Sequence, residues 1–298
     1  MGKYRYSLLA YIFNGYEQLH EVRETDPECE YVLVTDDRSL KSATWKIVYD
    51  PSLEGLSVFD KCYAVRFNVF KYCSTDICIY LDANIVINRS LKKLIDIFTG
   101  GDYEMALMPH VMRADFVSEY EAWVRLRNYP VENARKFLQF CRMSNYDFNY
   151  RGLYQGNFKI VRNDKVNRDF EALSLAFLKY LGEDGVIERL DQTVFTYVLN
   201  YYFSWIKVLP VSEQLMVSDY LTLCRHNSSS PCYNRLYDLN VPDVKYLFNR
   251  EVVCIYLQTC DDAAMAEKII GSVPRRDSFE GDYRLAQDPN DGIAIHVP

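Results

Sequence analysis

Short apolar runs that stop on polar or turn-forming residues dominate the first half of the chain. Tyr6–Phe13 is one such run, ending on Asn14-Gly15. Tyr31–Val34 runs into Thr35-Asp36-Asp37, and Trp45–Val48 is closed by Asp50-Pro51. Ile77–Leu81 stops abruptly on Asp82-Ala83-Asn84, after which Ile85–Ile87 resumes. Runs this short, rich in β-branched and aromatic residues, predict buried strands. Between them, Ser57–Cys73 has helical spacing, with Phe59, Cys62, Tyr63, Phe70 and Cys73 on one stripe. Arg66 falls within that stripe and Lys61 on the opposite, polar face. An arginine on an apolar face needs a partner, either an internal carboxylate or a phosphate.

The pattern continues with a helix over Ser90–Phe98, stopped by Gly100-Gly101, and a strand over Tyr103–Met108. From Asp115 to Asn149 the chain is polar, aromatic and helical, which reads as an insertion or lid. Phe158–Val161 predicts a strand and Val166–Leu181 an amphipathic helix ended by Gly182. A further helix opens at Leu190-Asp191-Gln192, with Leu190, Val194, Tyr197 and Val198 inward. Asp191 in its first turn meets the helix dipole favourably, a role that capping alone explains. Trp205–Pro210 and Val252–Leu257 predict late strands, Ala263–Ile270 a helix, and the charged stretch from Pro274 a loosely packed tail. Strands alternating with helices predict an α/β fold with a mixed, mainly parallel sheet flanked by helices. The expected organisation is one domain over 1–260, its insertion at about 115–149, then a C-terminal helix and tail over 261–298.

Composition narrows the chemistry. The chain has 298 residues with 34 Lys and Arg against 41 Asp and Glu, a net charge of -7 that disfavours nucleic acid as a partner. Nine cysteines, an odd number without C-x-x-C pairs, fit a reducing compartment. No signal-peptide core and no transmembrane run is legible, so the expectation is a cytoplasmic protein, with peripheral attachment at a membrane left open. A P-loop, a G-x-G-x-x-G fingerprint and a G-x-S-x-G elbow are all missing from the sequence. Oxygen donors at a strand end, Asp82 and Asn84, suit Mg²⁺ or Mn²⁺ better than zinc. Ligands in open α/β sheets bind at the carboxyl ends of strands, so a metal-borne nucleotide diphosphate is the ligand class that fits.

Tyr80-Leu81-Asp82-Ala83-Asn84-Ile85 resembles the D-x-D motif of GT-A glycosyltransferases. Tyr63-x-x-Arg66 and Asp191-Gln192 look like glycosyltransferase family 8. A closer resemblance is to the related hexosyltransferase-like group first catalogued as domain of unknown function 616. It is carried by Thr35-Asp36-Asp37, Asp82-x-Asn84, His110-x-x-Arg113, Glu119, Gly152, Arg162 and Arg189-x-Asp191-Gln192, spanning Tyr6 to His226. The resemblance implies a metal-dependent transfer of a hexose from a nucleotide sugar, UDP-linked first, to a saccharide or lipid-linked acceptor in surface polysaccharide or glycan synthesis. By the same resemblance, Tyr11, Asn14, Asp36 and Asp37 would meet base and ribose. Asp82, Asn84 and His226 would ligate the metal, and Arg66 would meet the diphosphate or order Asp82. Gly156, Asn157, Asp191 and Gln192 would line donor sugar and acceptor, with Asp191 and Gln192 catalytic. The chain departs from family 8 in lacking the histidine-glycine-lysine signature around His226, and Asn84 replaces a second acid. Two alternatives stand beside this reading. One is a sugar-phosphate nucleotidyltransferase, disfavoured because Asn14-Gly15-Tyr16-Glu17 is no Gly-rich basic loop; the other is a carbohydrate-binding protein with a decayed site.

Overall fold

The computed structural model describes residues 3–109, 153–183, 191–216, 218–223, 284–287 and 294–297. Its centre is a seven-stranded sheet built from β1 (Tyr6–Ile12), β2 (Cys29–Thr35), β3 (Lys46–Tyr49), β4 (Ile77–Leu81), β6 (Met105–Pro109), β7 (Tyr154–Arg162) and β8 (Val208–Pro210). The spatial order is β3-β2-β1-β4-β7-β6-β8. Strands β1 to β4, β6 and β8 run one way, and β7 lies antiparallel between β4 and β6. The fold is therefore mixed α/β, Rossmann-like and mostly parallel, as the strand–helix alternation predicts.

Alternation along β1 decides what packs where. Tyr6, Leu8, Ala10 and Ile12 join one core with Leu94, Ile95 and Phe98 of helix α2 (Lys92–Gly100). Leu9 and Phe13 join the other core. That core holds residues of α1 (Val58–Arg66), α3 (Lys165–Glu183) and α4 (Asp191–Tyr202). Successive strand residues face opposite sides of a sheet, so Tyr11 and Tyr80 belong to the α1/α3/α4 side. With both faces covered, β1, β2 and β4 are buried almost throughout, which is why they read as continuous apolar runs.

Several boundaries differ from the sequence expectation for identifiable reasons. The helix predicted over Ser57–Cys73 ends at Arg66, and a separate 3-10 turn follows at Val69–Lys71. Its inward residue is Val65, whereas Phe59 is 38% exposed. Periodicity could not register the break because the apolar residues of the turn continue the spacing. Helix α3 runs through Gly182 to Glu183 instead of stopping before it. Trp205 lies outside β8 and is 60% exposed. Ile85–Ile87 forms β5, which leaves the main sheet and pairs antiparallel with β9 (Leu221–Leu223), a strand too short to leave a period. Within the stretch expected to be loosely packed, β10 (Arg284–Gln287) and β11 (Ala294–Val297) form an antiparallel ladder. The expected insertion at 115–149, the strand over Val252–Leu257 and the helix over Ala263–Ile270 lie outside the described residues.

Candidate active site at the carboxyl ends of β1, β4 and α1

The site starts with a parity argument. Tyr80 and Asp82 are two apart at the end of β4 and face the side of α1 and α4, as does Tyr11 on the neighbouring β1. Arg66, the last residue of α1, reaches into this corner with its side chain 12% exposed. Its Nε donates to the Tyr80 hydroxyl at 3.1 Å. Its Nη2 donates to the Tyr11 hydroxyl at 3.1 Å and to Asp82 Oδ1 at 2.9 Å. Nη1 pairs with Asp191 Oδ2 at the first turn of α4. The guanidinium also stands over the Tyr80 ring, 5.2 Å from its centroid. Three hydrogen bonds from Nε and Nη2 and the ion pair at Nη1 thus hold the guanidinium among the described residues.

Charge in this corner is strongly set. Burial opposes the Arg66 cation, but the two tyrosines and Asp82 more than offset it, and its pKa lies well above the usual value. Burial pushes both Tyr11 and Tyr80 hydroxyls well up, so they stay protonated as neutral partners. Tyr80 donates to Asp82 Oδ1 at 2.5 Å. That oxygen therefore serves both Tyr80 and Arg66, while Asp82 Oδ2 takes none of the hydrogen bonds among the described residues.

The strand β7 brings a second group of residues to the same corner. Gly156 N–H donates to Gln192 Oε1 at 3.2 Å. A Cβ at Gly156 would lie 3.1 Å from Arg66 Nη1 and 3.6 Å from Asp191 Oδ2, so glycine here keeps the approach open. Asn157 O accepts from Asp82 N–H at 3.1 Å. The Asn157 Oδ1 and Gln192 Nε2 atoms are buried with no partner among the described residues. Buried polar atoms of this kind call for a missing partner, and one acceptor and one donor beside Gly156 suit a polyhydroxylated ligand.

The remaining predicted residues form a neighbouring corner. Asn14 and Gly15 take left-handed backbone angles, φ 53° and 62°, which asparagine and glycine tolerate best. The turn they make lets Asn14 N–H donate to Asp36 Oδ1 at 2.9 Å. Asp36 Oδ2 takes Lys61 Nζ at 2.7 Å. Burial raises the Asp36 pKa, yet the Lys61 and Asn14 bonds outweigh it and hold the carboxyl low. Lys61 is only 12% exposed, so it does not lie on a solvated face as helical spacing implied. Asp37 is engaged locally by Ser39 N–H and hydroxyl, at 2.8 and 2.6 Å, which depress its pKa.

Not every motif residue converges. Asn84 is 1% exposed in the turn after β4. Arg162 lies at the far end of β7, opposite Ile77, where it donates to the carbonyls of Tyr103 and Phe98. It braces the α2–β6 link and is not part of the site. His110, Arg113, Glu119, Gly152, Arg189 and His226 lie outside the described residues. For a divalent cation, the available Asp82 Oδ2 on a side chain 24% exposed fits an ion that keeps several waters. Among the described residues no group of three His, Cys, Asp or Glu could cage one.

Sequence reasoning missed two participants. Lys159 in β7 and Glu171 in α3 form a buried ion pair directly beneath Arg66. A lysine inside the apolar run Phe158–Val161 is the signal that pointed to it. No helix among the described residues is long and apolar enough to cross a membrane. No protein-family model matches the chain. No curated protein matches it by sequence. Among solved structures it is similar to mouse xyloside xylosyltransferase 1 in its apo form, with 9% identity, coverage of 70% of this chain and 85% of that one, and a TM-score of 0.40.

Proposed function

We propose that the chain is a GT-A-type glycosyltransferase that moves a hexose from a nucleotide diphosphate sugar, UDP-linked in the first instance, to a saccharide or lipid-linked acceptor. The observation that carries this reading is Arg66, locked between Asp82 at the end of β4 and Asp191 at the start of α4. A cation at the carboxyl ends of parallel strands, with Nη1 close to Gly156, supports reading Arg66 as the group that would meet an anionic leaving group. Transfer from a nucleotide sugar leaves a diphosphate, and fixed positive charge lowers the barrier to its departure.

The residues divide the work accordingly. Arg66 offsets charge developing on the diphosphate, and the two tyrosine hydroxyls hold its plane. Asn157 Oδ1 and Gln192 Nε2 offer an acceptor and a donor to sugar hydroxyls. Asp191, close to Gly156, is the candidate to face the sugar's anomeric centre or the incoming hydroxyl. Asn14, Asp36 and Asp37 are the candidates for ribose and base. Asp82, through its available Oδ2 and with His226 as a candidate second ligand, would hold a Mn²⁺ or Mg²⁺ ion, which when bound supplies Lewis-acid charge to the diphosphate.

Titration of UDP and Mn²⁺ into wild type and Asp82→Ala tests the metal assignment, with at least tenfold weaker binding expected for the variant. Equal affinity in both proteins would remove it. A panel of nucleotide sugars assayed by nucleotide release identifies the donor. Release from none of them, with the protein folded, would count against transferase activity and favour the binding-protein reading.

A further inference from the structure

The Lys159–Glu171 pair does something the proposed chemistry does not require on its face. Lys159 lies in the middle of β7 on the α1/α3/α4 side, its side chain 9% exposed and that of Glu171 4%. Its Nζ donates to the backbone carbonyl of Arg66 at 2.6 Å and to Glu171 Oε1, and it stands 5.3 Å from the Phe67 ring centroid. Glu171, from α3, holds the same ammonium on its other side. The pair therefore holds the Arg66 carbonyl at the point where α1 stops, just before the 3-10 turn at Val69–Lys71.

We propose that Lys159 and Glu171 are positioning residues that aim the Arg66 guanidinium by fixing the backbone from which it springs. The C-terminal carbonyls of a helix have no intrahelical partner, and an ammonium there also meets the helix dipole. A buried ion pair of this kind contributes little to stability over an apolar pair of equal size. Geometry is what it does supply. A guanidinium stands several bonds from its Cα, so a small rotation of the backbone at residue 66 displaces the fork by about 1 Å, enough to cost a site most of its effectiveness. Without the pair, the four-way contact of Arg66 with Tyr11, Tyr80, Asp82 and Asp191 would lose its fixed base. The inference rests on the proposed function only in taking Arg66 as the cation that receives the diphosphate.

The test reads Arg66 directly, before any ligand is added. In protein labelled with ¹⁵N-arginine, the Arg66 Nε–Hε signal is assigned by its loss in Arg66→Lys. The variant Lys159→Met/Glu171→Gln removes both charges while keeping side chains of similar size. The expected result is a shifted or broadened Arg66 signal, with at least tenfold less protection from solvent exchange, in a protein whose circular dichroism is unchanged. Phe170→Leu, a core change of comparable stability cost, should leave the signal in place. In the second arm, UDP affinity should fall about tenfold in the double variant, and adding Arg66→Lys should cost nothing more. A folded double variant with an unaltered Arg66 signal would overturn the proposal. If that variant fails to fold, Glu171→Asp, which shortens the pair by one methylene, must still shift the signal. Failure of wild type to bind UDP would remove the functional reading alone, because the first arm decides the positioning role without it.

Discussion

At the scale of single residues, Arg66 is the group on which most depends. Its planar fork serves two hydroxyls and two carboxylates at once, which a lysine's point charge cannot do. Arg66→Lys should therefore lower stability by about 2–3 kcal/mol in urea unfolding, since it leaves buried acceptors partly unmatched. A loss below about 0.5 kcal/mol, typical of exposed charge changes, would mean the contacts are not jointly maintained. Gly156 gives a separable effect. An added Cβ would press on Arg66 Nη1 at 3.1 Å, while Asp191 Oδ2 and Gln192 Cβ at 3.6 Å would be in ordinary contact. Gly156→Ala should cost only about 1 kcal/mol of stability but lower nucleotide affinity about tenfold, measured by calorimetry. Gly101→Ala is the opposite case: its Cβ would fall 2.3 Å from the Tyr103 ring, far from the site, so melting temperature should drop with affinity unchanged.

At the scale of elements, the N-terminal ends of the strands are tied by Glu30, which is 5% exposed in β2. It accepts from Ser7 of β1 at 3.0 Å, from Ser74 N–H and hydroxyl just before β4 at 3.0 and 2.6 Å, and from Lys46 of β3 at 2.9 Å. Burial raises its pKa, but those bonds prevail and bring it from an ordinary 4.5 down to about 2. A depressed folded-state pKa contributes stability that is full above the unfolded value and lost as pH falls through the folded one. Wild type should therefore lose on the order of 2 kcal/mol between about pH 4.5 and 2 from this residue. Glu30→Gln should flatten that part of the pH–stability curve, and an unchanged slope would show that Glu30 does not couple the strands. The elements also show what a sequence can carry. Strands β1, β2 and β4 were legible because burial on both faces leaves an unbroken apolar run. Arg66 was legible as a charge in an apolar stripe, whose partners, Asp82 and Asp191, could not be derived from spacing. Lys61 was misjudged because its partner Asp36 comes from the loop after β2, and a helical wheel holds no information about that. Strand β9 and the antiparallel sense of β7 depend on pairing between distant segments, for which local pattern has no counterpart.

For the whole molecule, the question is whether a ligand would join parts of the chain that sequence separates. Asp82 follows β4, Gly156 and Asn157 belong to β7, and Asp191 and Gln192 open α4. Strand β7, running against its neighbours, is the seam: it pairs with β4 on one side and β6 on the other. A ligand held by Arg66, Asn157 and Gln192 would bridge that seam, and binding to the folded state alone raises stability by mass action, about 2.7 kcal/mol at a hundredfold excess over Kd. Hydrogen exchange offers a spatial test. In the free protein the slowest amides should lie in β1, β2 and β4, which are buried on both faces, and faster ones in the edge strand β3, where Lys46 is exposed. Saturating UDP with Mn²⁺ should slow exchange at three separated places together: the turn after Asp82, Gly156–Asn157 and the first turn of α4. The Glu30 corner, at the opposite end of the strands, should change least. Protection confined to the Asp82 turn would describe a metal or phosphate bound locally, with Asp191 and Gln192 left outside the ligand's reach. Protection at all three places, lost again in Arg66→Lys, would mean that one ligand spans the seam and that Arg66 is the group joining its two sides.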